Sequence, residues 1–258
     1  MLFASDLDRT LIYSKRFLQD SIQDLICVER GLDDKPLSYM SKDAYIKLEN
    51  LISNIQFVPV TTRSFKQFKR LWLSEKIEYA IIDNGGTILH NGEPFSAWEE
   101  FINPLLEPNR KQFQKLVDLI NTTQEDLIQE AKVIDNCYIM AKVSHTKACK
   151  ALLDKSLDTS LWYYKILWNK LYILPKCVSK EFALEFLVKY LGENDTVSAG
   201  DGALDIGMLN FTTYAIVPEH GKVYTDNLLK REYKLVSYGI GASSEILDHV
   251  SYLENGGD

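Results

Sequence analysis

Residues 1–14 read MLFASDLDRTLIYS, in which a short apolar run ends in two aspartates one residue apart, Asp6 and Asp8. The apolar run predicts a buried β-strand with both acids following its carboxyl end. In an open parallel sheet, ligands bind beyond the carboxyl ends of the strands. The alternative is a turn that Asp8 caps, a common use of aspartate. These residues alone leave both interpretations open.

Strand-like and helix-like segments alternate along both ends of the chain. The segments that read as strands are LFAS, IQFVPVTT, YAIIDNGG, DTVSAGD and TTYAIVP, and those that read as helices are KDAYIKLENLIS, SFKQFKRLWLSE and SKEFALEFLVKYLG. This alternation predicts an α/β fold, a Rossmann-like parallel sheet with helices on both faces. We expect residues 1–85 and 176–258 to form this core.

The central region, residues 86–175, has a different texture. GTILHNGEPF predicts a hairpin, RKQFQKLVDLI a helix, CYIMAKVS a strand, HTKACKALLDKSL a helix and WYYKILWNKLYILP a strand pair. We expect an inserted α+β domain with its own core. A second, shorter interruption, ICVERGLDDKPLSYM, predicts a small hairpin flap beside the end of the first strand.

Composition narrows the possible partners. The 258 residues carry a net charge of −7 with no long basic run, which disfavours nucleic acid and anionic membranes. No basic segment followed by an apolar run opens the sequence, and no stretch is apolar enough to span a bilayer, so we predict a cytoplasmic protein. The four cysteines form no CxxC pair and favour free thiols over a zinc site.

Three further stretches place polar chemistry at strand ends or helix starts. In FVPVTTRS, Thr61 and Thr62 follow a strand, although a helix cap would also explain them. Lys180 falls in the first turn of a predicted helix, where a cation opposes the helix dipole unless an anion lies nearby. In SAGDGALDIGML, a glycine-flanked strand end delivers Asp201, and Asp205 follows four residues later. Several carboxylates that would otherwise repel one another suit a hard cation such as Mg²⁺, and a lysine with hydroxyls suits an anion.

The motifs together resemble those of the haloacid dehalogenase superfamily of phosphatases. DLDRT resembles its DxDxT motif, VTTRS its Thr/Ser motif, Lys180 its isolated lysine and GDGALD its GDxxxD motif, in the family's order. The insert is similar in position to the C2-type caps of the sugar-phosphatase branch, which TTRS, DNGGTI and PKCVSKEFAL also resemble.

The resemblance implies a role for each matched position. Asp6 would be the nucleophile that forms an aspartyl-phosphate, and Asp8 the general acid and base. Thr61 and Lys180 would hold the phosphoryl oxygens. The metal ligands implied for Mg²⁺ are Asp6, Asp8 through its backbone carbonyl, Asp201, and Asp205 as a ligand or orienter. The substrate-binding residues implied are Thr62, Arg63, Asn84 and Gly85.

Three positions depart from the family's usual pattern. Arg9 replaces a glycine or asparagine, and we expect its side chain to point to solvent. Thr62 stands where a glycine is common, and Leu204 stands where an asparagine often precedes the last acid. None of these removes a catalytic group.

The predicted function is Mg²⁺-dependent hydrolysis of a small phosphorylated metabolite, a sugar phosphate. A dehalogenase of the same fold would not need Asp8. The alternatives that stay open are a phosphosugar mutase and a non-catalytic ligand-binding protein.

Overall fold

The computed structural model describes residues 1–18, 24–123, 127–167 and 169–257. The chain forms two compact units. The core unit comprises Met1–Pro94 with Lys180–Asp258, and the inserted unit comprises Phe95–Ser179.

The core unit contains most of the secondary structure. Its strands are β1 (Leu2–Ser5), β2 (Tyr13–Ser14), β3 (Leu25–Arg30), β4 (Pro36–Ser41), β5 (Gln56–Pro59), β6 (Tyr79–Ile82), β7 (Thr87–His90), β8 (Glu93–Pro94), β13 (Thr196–Ala199), β14 (Tyr214–Pro218) and β15 (Lys234–Val236). Its helices are α1 (Lys42–Leu51), α2 (Phe65–Phe68), α5 (Lys180–Leu191), α6 (Ile206–Phe211), α7 (Lys222–Thr225) and α8 (Gly241–Glu254).

The inserted unit alternates helices with paired strands. Its elements are α3 (Ser96–Thr123), β9 (Ile128–Ile134), β10 (Tyr138–Val143), α4 (Thr146–Ser156), β11 (Trp162–Leu167) and β12 (Lys170–Pro175).

A five-stranded parallel sheet in the order β15-β14-β13-β1-β5 forms the centre of the core unit. All four residues of β1 are buried, so both faces of the sheet are covered, as is usual for parallel strands. Helices α1 and α8 pack on the face that carries Phe3 and Val197. The predicted α/β fold class is therefore confirmed.

Two small antiparallel sheets complete the core unit. Strands β2, β4 and β3 form the flap that ICVERGLDDKPLSYM predicted. Strands β6, β7 and β8 form the second sheet, in which Asn91 and Gly92 make the two-residue turn between β7 and β8 with positive φ angles of 52° and 79°. Such a turn follows the right-handed twist of the flanking strands.

The inserted unit has its own antiparallel sheet, ordered β11-β12-β10-β9, and its own apolar core. Trp162 is buried in that core, and Trp98 is also buried; Trp168 lies outside the described residues. Helix α3 begins 14 residues before the segment RKQFQKLVDLI that predicted it, and it passes through Pro104 and Pro108. Each proline removes a helical hydrogen bond, but the helix buries a continuous apolar stripe that outweighs this loss: Trp98, Ile102, Leu106, Phe113, Val117 and Ile120.

The boundaries between the units differ from those expected. The structure divides the chain after Pro94 and after Ser179, rather than after residues 85 and 175. Residues 86–94 stay with the core unit because β7 and β8 extend the sheet that β6 begins.

One predicted helix is much shorter in the structure. The segment SFKQFKRLWLSE forms a single helical turn, α2, and then a 3-10 turn at Trp72–Glu75. Leu71 leaves the helix to bridge Glu29 of the flap, so tertiary pairing overrides the local helical pattern. None of the helices within the described residues combines the length and the apolar character that crossing a bilayer requires.

Candidate active site

The carboxyl ends of three adjacent strands bring the predicted residues to one edge of the central sheet. The Asp6 amide donates to the Ala199 carbonyl of β13 at 2.9 Å, and the Val60 amide donates to the Ser5 carbonyl at 2.7 Å. Strand β5, the next strand of this sheet along the chain, lies on one side of β1, and β13 lies on the other side. Such an arrangement opens a crevice at the carboxyl ends of the strands.

Lys180 lies at this edge of the sheet with 2% of its surface exposed. Its ammonium Nζ donates to Asp6 Oδ1 and to Asp205 Oδ1, each at 2.6 Å. Because α5 begins at Lys180, the cation sits at the positive end of the helix dipole, and the two carboxylates are the anions that offset it. At the other end of α5, Gly192 adopts the left-handed φ of 70° that ends many helices.

Asp6, Asp201 and Asp205 form a buried carboxylate cluster, in which one oxygen atom from each lies within 4.8 Å of the others. Two glycines permit the close packing. A Cβ atom on Gly200 would lie 2.5 Å from the Asp205 Cβ, and one on Gly221 would lie 2.8 Å from the Asp201 carbonyl oxygen. The GDxxxD-like loop therefore needs glycine for steric reasons.

The carboxylate cluster carries more negative charge than its neighbours offset. Burial and the neighbouring Asp205 raise the pKa of Asp201 to about 7, against the opposing charges of Arg9 and Lys180. Burial also raises the pKa of Asp6; Lys180 opposes this, whereas Asp205 and Asp201 add to it. Buried oxygen donors with unfavourable mutual repulsion are what a hard divalent cation stabilises, so the residues present fit Mg²⁺.

Asp8 faces a different environment. Its side chain is 49% exposed, and both of its oxygens are held by Arg63, with Nε to Oδ2 and Nη2 to Oδ1 each at 2.8 Å. The Asp8 carboxylate is therefore not part of the carboxylate cluster. The metal role implied by the resemblance concerns its backbone carbonyl alone.

Arg9 does not point to solvent, so that expectation was wrong. Its side chain is 16% exposed, and Nη2 donates to the His220 carbonyl at 2.9 Å. The guanidinium Nε lies 3.5 Å from Asp201 Oδ2, and the guanidinium stacks over the Phe17 ring at 4.7 Å. A left-handed φ of 67° at Arg9 turns the chain so that these contacts form.

His220 also lies beside the site, and the sequence analysis did not identify it. Its Nε2 lies 2.7 Å from the Arg9 carbonyl, and its Nδ1 accepts from the Gly239 amide at 3.0 Å. Because Nδ1 accepts, Nε2 carries the proton and the ring is neutral. Burial lowers the pKa of His220, and the Arg9 charge adds to that shift. The sequence signal that could have identified His220 is its position just after the end of β14, where ligand-binding residues of a parallel sheet lie.

The Thr/Ser motif is joined through its backbone to the loop after β6. Thr61 is fully buried, and its carbonyl accepts from the Asn84 amide at 3.0 Å, while the Arg63 carbonyl accepts from the Asp83 amide at 2.9 Å. Thr62 is half-buried. Asn84 and Gly85 adopt positive φ angles of 57° and 96°, which asparagine and glycine tolerate best. The four residues implied as substrate-binding thus lie on two connected loops.

The chain resembles known proteins in sequence over part of its length and in fold over nearly all of it. A family model described as haloacid dehalogenase-like hydrolase matches residues 100–222, a segment that contains Lys180, Asp201 and Asp205. No curated protein sequence matches the chain.

Among solved structures, similar folds include three hydrolases or phosphatases. The sucrose-phosphatase of Synechocystis sp. PCC6803, solved with sucrose and phosphate, has a TM-score of 0.70 and 14% identity over 98% of each chain. A haloacid dehalogenase-like hydrolase from B. subtilis has a TM-score of 0.62 and 14% identity over 96% of this chain and 99% of its own. The subclass IIB sugar phosphatase BT4131 has a TM-score of 0.59 and 13% identity over 97% and 98%.

The predicted resemblance to the haloacid dehalogenase superfamily is therefore confirmed. The chain has the fold of haloacid dehalogenase-like hydrolases.

Proposed function

We propose that this protein is a Mg²⁺-dependent phosphohydrolase that acts on a small phosphorylated metabolite, a sugar phosphate, through an aspartyl-phosphate. The observation that carries the proposal is the buried Lys180, whose ammonium donates to Asp6 and to Asp205 at 2.6 Å each beside Asp201. A second, accessible acid, Asp8, follows Asp6 two residues later. The hydrolase family match and the sugar-phosphatase neighbours support the same reaction class and substrate class.

The proposed reaction uses the two acids in turn. An Asp6 oxygen attacks phosphorus while the bond from phosphorus to the ester oxygen breaks, and Asp8 gives its proton to that leaving oxygen. Water then attacks phosphorus and passes a proton to Asp8, the bond from phosphorus to Asp6 breaks, and inorganic phosphate is released.

The remaining groups hold charge during these steps. Mg²⁺ would be held by Asp6, Asp201 and the Asp8 backbone carbonyl, and it would supply positive charge for the phosphoryl oxygens. Lys180 would bind a phosphoryl oxygen while it keeps Asp6 oriented, and the Thr61 hydroxyl would donate to another oxygen. Asp205 has Lys180 at Oδ1 and the Gly202 amide at Oδ2, 2.7 Å away, which favours orientation of Lys180 over metal ligation.

We propose further that the inserted unit is a C2-type cap that selects the substrate. It has an independent core, and it returns to the core unit directly before the catalytic Lys180. Exchange of residues 95–179 for the corresponding unit of a relative should transfer the preference among sugar phosphates, while the rate with p-nitrophenyl phosphate stays within about tenfold. A preference that stays with the core unit would contradict the cap role.

The direct test of the proposed function is a screen of phosphorylated metabolites with Mg²⁺ and with a chelator. Release of inorganic phosphate should require Mg²⁺, and Asp6→Asn should abolish it while circular dichroism stays unchanged. An isomerised sugar phosphate without released phosphate would instead identify a mutase. A wild-type protein that converts no ester and binds a phosphorylated ligand would support the non-catalytic alternative.

A further inference from the structure

A buried glutamate in the flap, Glu29, is the end of a second ionic cluster that the catalytic motifs do not include. Its side chain is 2% exposed. Oε2 accepts from the Ser38 hydroxyl at 2.6 Å and from Arg63 Nη2 at 3.0 Å, and Oε1 accepts from Arg70 Nη2 at 2.7 Å and lies 2.9 Å from Arg63 Nη1. Burial would raise the pKa of Glu29, but the hydrogen bonds from Arg63, Ser38 and Arg70 lower it overall. The flap therefore holds an ionised carboxylate inside the protein.

The backbone of the flap places this carboxylate. The register between β3 and β4 shifts on both sides of Glu29, which is the signature of a β-bulge. Bulges redirect a side chain away from the regular alternation of a strand. Glu29 also bridges Leu71, so the flap is tied to the chain that follows α2. Glu29 thus contacts Arg63 before α2 and Arg70 after it.

Arg63 connects Glu29 to Asp8, the proposed general acid. All three guanidinium nitrogens contact carboxylates, with Nε and Nη2 on Asp8 and Nη1 and Nη2 on Glu29. Its backbone is held as well, since the Arg63 amide donates to Thr61 Oγ1 at 3.2 Å. A planar guanidinium that is fixed at one edge fixes the plane of a carboxylate at the other edge.

We propose that Glu29 is a positioning residue, which orients the Asp8 carboxylate through Arg63. The inference rests on the proposed function, because it gives Asp8 the acid and base role. It also assigns Arg63 to Asp8 rather than to the substrate, and it gives the flap a part in proton transfer. A buried charged network is poorly explained by stability alone, since apolar residues of similar volume often serve as well.

The inference is tested by the dependence of rate on the leaving group. In Glu29→Gln, kcat/KM for phenyl phosphate should fall about tenfold or more, within the range that general acid catalysis contributes, while p-nitrophenyl phosphate, which needs little protonation, should lose less than about threefold. Arg70→Gln, which leaves the Arg63 contact in place, should shift the same ratio in the same direction by a smaller factor.

Glu49→Gln is the matched control. Glu49 also pairs with a cation and an indole, Lys76 at 2.7 Å and Trp72 at 2.7 Å, but it has no contact with Arg63 or Asp8 among the described residues. It should leave the ratio between the two esters unchanged. An equal loss on both esters in Glu29→Gln and Arg70→Gln would overturn the inference and indicate a structural role.

A structural readout separates this inference from the proposed function. In a crystal structure of Glu29→Gln, the Asp8 carboxylate should lose its two-point contact with Arg63, whereas Glu49→Gln should keep it. An Asp8 that keeps both contacts in Glu29→Gln would overturn the inference even if the enzyme is active. A wild-type protein without hydrolase activity would overturn the proposed function instead.

Discussion

Asp6 and Asp8, on either side of Leu7, belong to two different ionic clusters. The two clusters differ in the balance of acidic and basic side chains. In the carboxylate cluster, three acids face two cations: Lys180 contacts Asp6 and Asp205 at 2.6 Å each, and Arg9 lies 3.5 Å from Asp201. In the flap cluster, the two acids are matched by two arginines: Asp8, Glu29, Arg63 and Arg70.

The difference in balance indicates a difference in role. A buried site with surplus acid is stabilised by a bound cation. A balanced cluster needs no ion and can serve to fix geometry. The same short motif, DLDRT, thus supplies one acid to each kind of site.

The largest expected effect comes from removal of the cation in the carboxylate cluster. Lys180→Met leaves two buried carboxylates without their shared partner, so the free energy of unfolding should fall by about 3–5 kcal/mol and hydrolysis should be lost. Denaturant unfolding with a chelator measures the first effect. Lys189→Ala, on the same helix and paired with Glu185 at the surface, should change stability by less than about 0.5 kcal/mol. Equal effects of the two variants would contradict the charge argument.

The next effect separates the two acids. Asp8→Asn should lower turnover of an alkyl phosphate by about 10²–10⁴-fold, because an alkoxide needs a proton to leave. Turnover of p-nitrophenyl phosphate should fall much less, since nitrophenolate leaves without one. The ratio of kcat/KM for the two esters is the measurement, and an unchanged ratio would remove the acid role from Asp8.

A moderate effect is expected from Mg²⁺, which should stabilise the protein through the carboxylate cluster and not through the flap cluster. Mg²⁺ at 100 times its dissociation constant should raise the free energy of unfolding of the wild type by about 2.7 kcal/mol. Asp201→Asn should lose most of this gain, whereas Glu29→Gln in the balanced cluster should keep it. Thermal unfolding with MgCl₂ and with a chelator tests both variants, and a gain that survives in Asp201→Asn would place the ion elsewhere.

The smallest effect concerns one hydrogen bond of the flap cluster. Ser38→Ala removes the buried 2.6 Å bond to Glu29, which should lower the free energy of unfolding by about 1.5 kcal/mol, as expected for a bond to a charged group. Ser160→Ala removes a bond of the same type and length to Asp158 at the surface, where water replaces the hydroxyl, so its effect on stability should be clearly smaller. Chemical denaturation compares the two, and equal losses would show that burial does not strengthen the flap bond.

Much of the fold was readable from local pattern. The apolar run LFAS predicted a buried strand, and GTILHNGEPF predicted the hairpin of β7 and β8, because strand burial and two-residue turns depend on a few neighbouring residues. The surplus of acids around a lysine was also readable, since the motifs follow strand ends and parallel strands end at one edge.

Long-range contacts decided what local pattern could not. The helical pattern after Ser64 does not continue past α2, because Leu71 pairs with Glu29 of the flap. Helix α3 continues through its two prolines because a buried apolar stripe runs along it. The side chain of Arg9 turned inward because His220, 211 residues later, accepts its hydrogen bond.

The sequence by itself determined the α/β class, the order of the motifs and the presence of Asp6, Asp8, Lys180 and Asp201 at the ends of strands or the start of a helix, because each of these depends on short-range periodicity. Only the tertiary structure decided which acidic and basic side chains form ion pairs. Glu29 reaches Arg63, 34 residues later, and Arg63 reaches back 55 residues to Asp8, through a bulge and two loops whose geometry no local pattern encodes. The partner of a charged side chain is set by the packing of distant elements, and that packing exists only once the chain has folded.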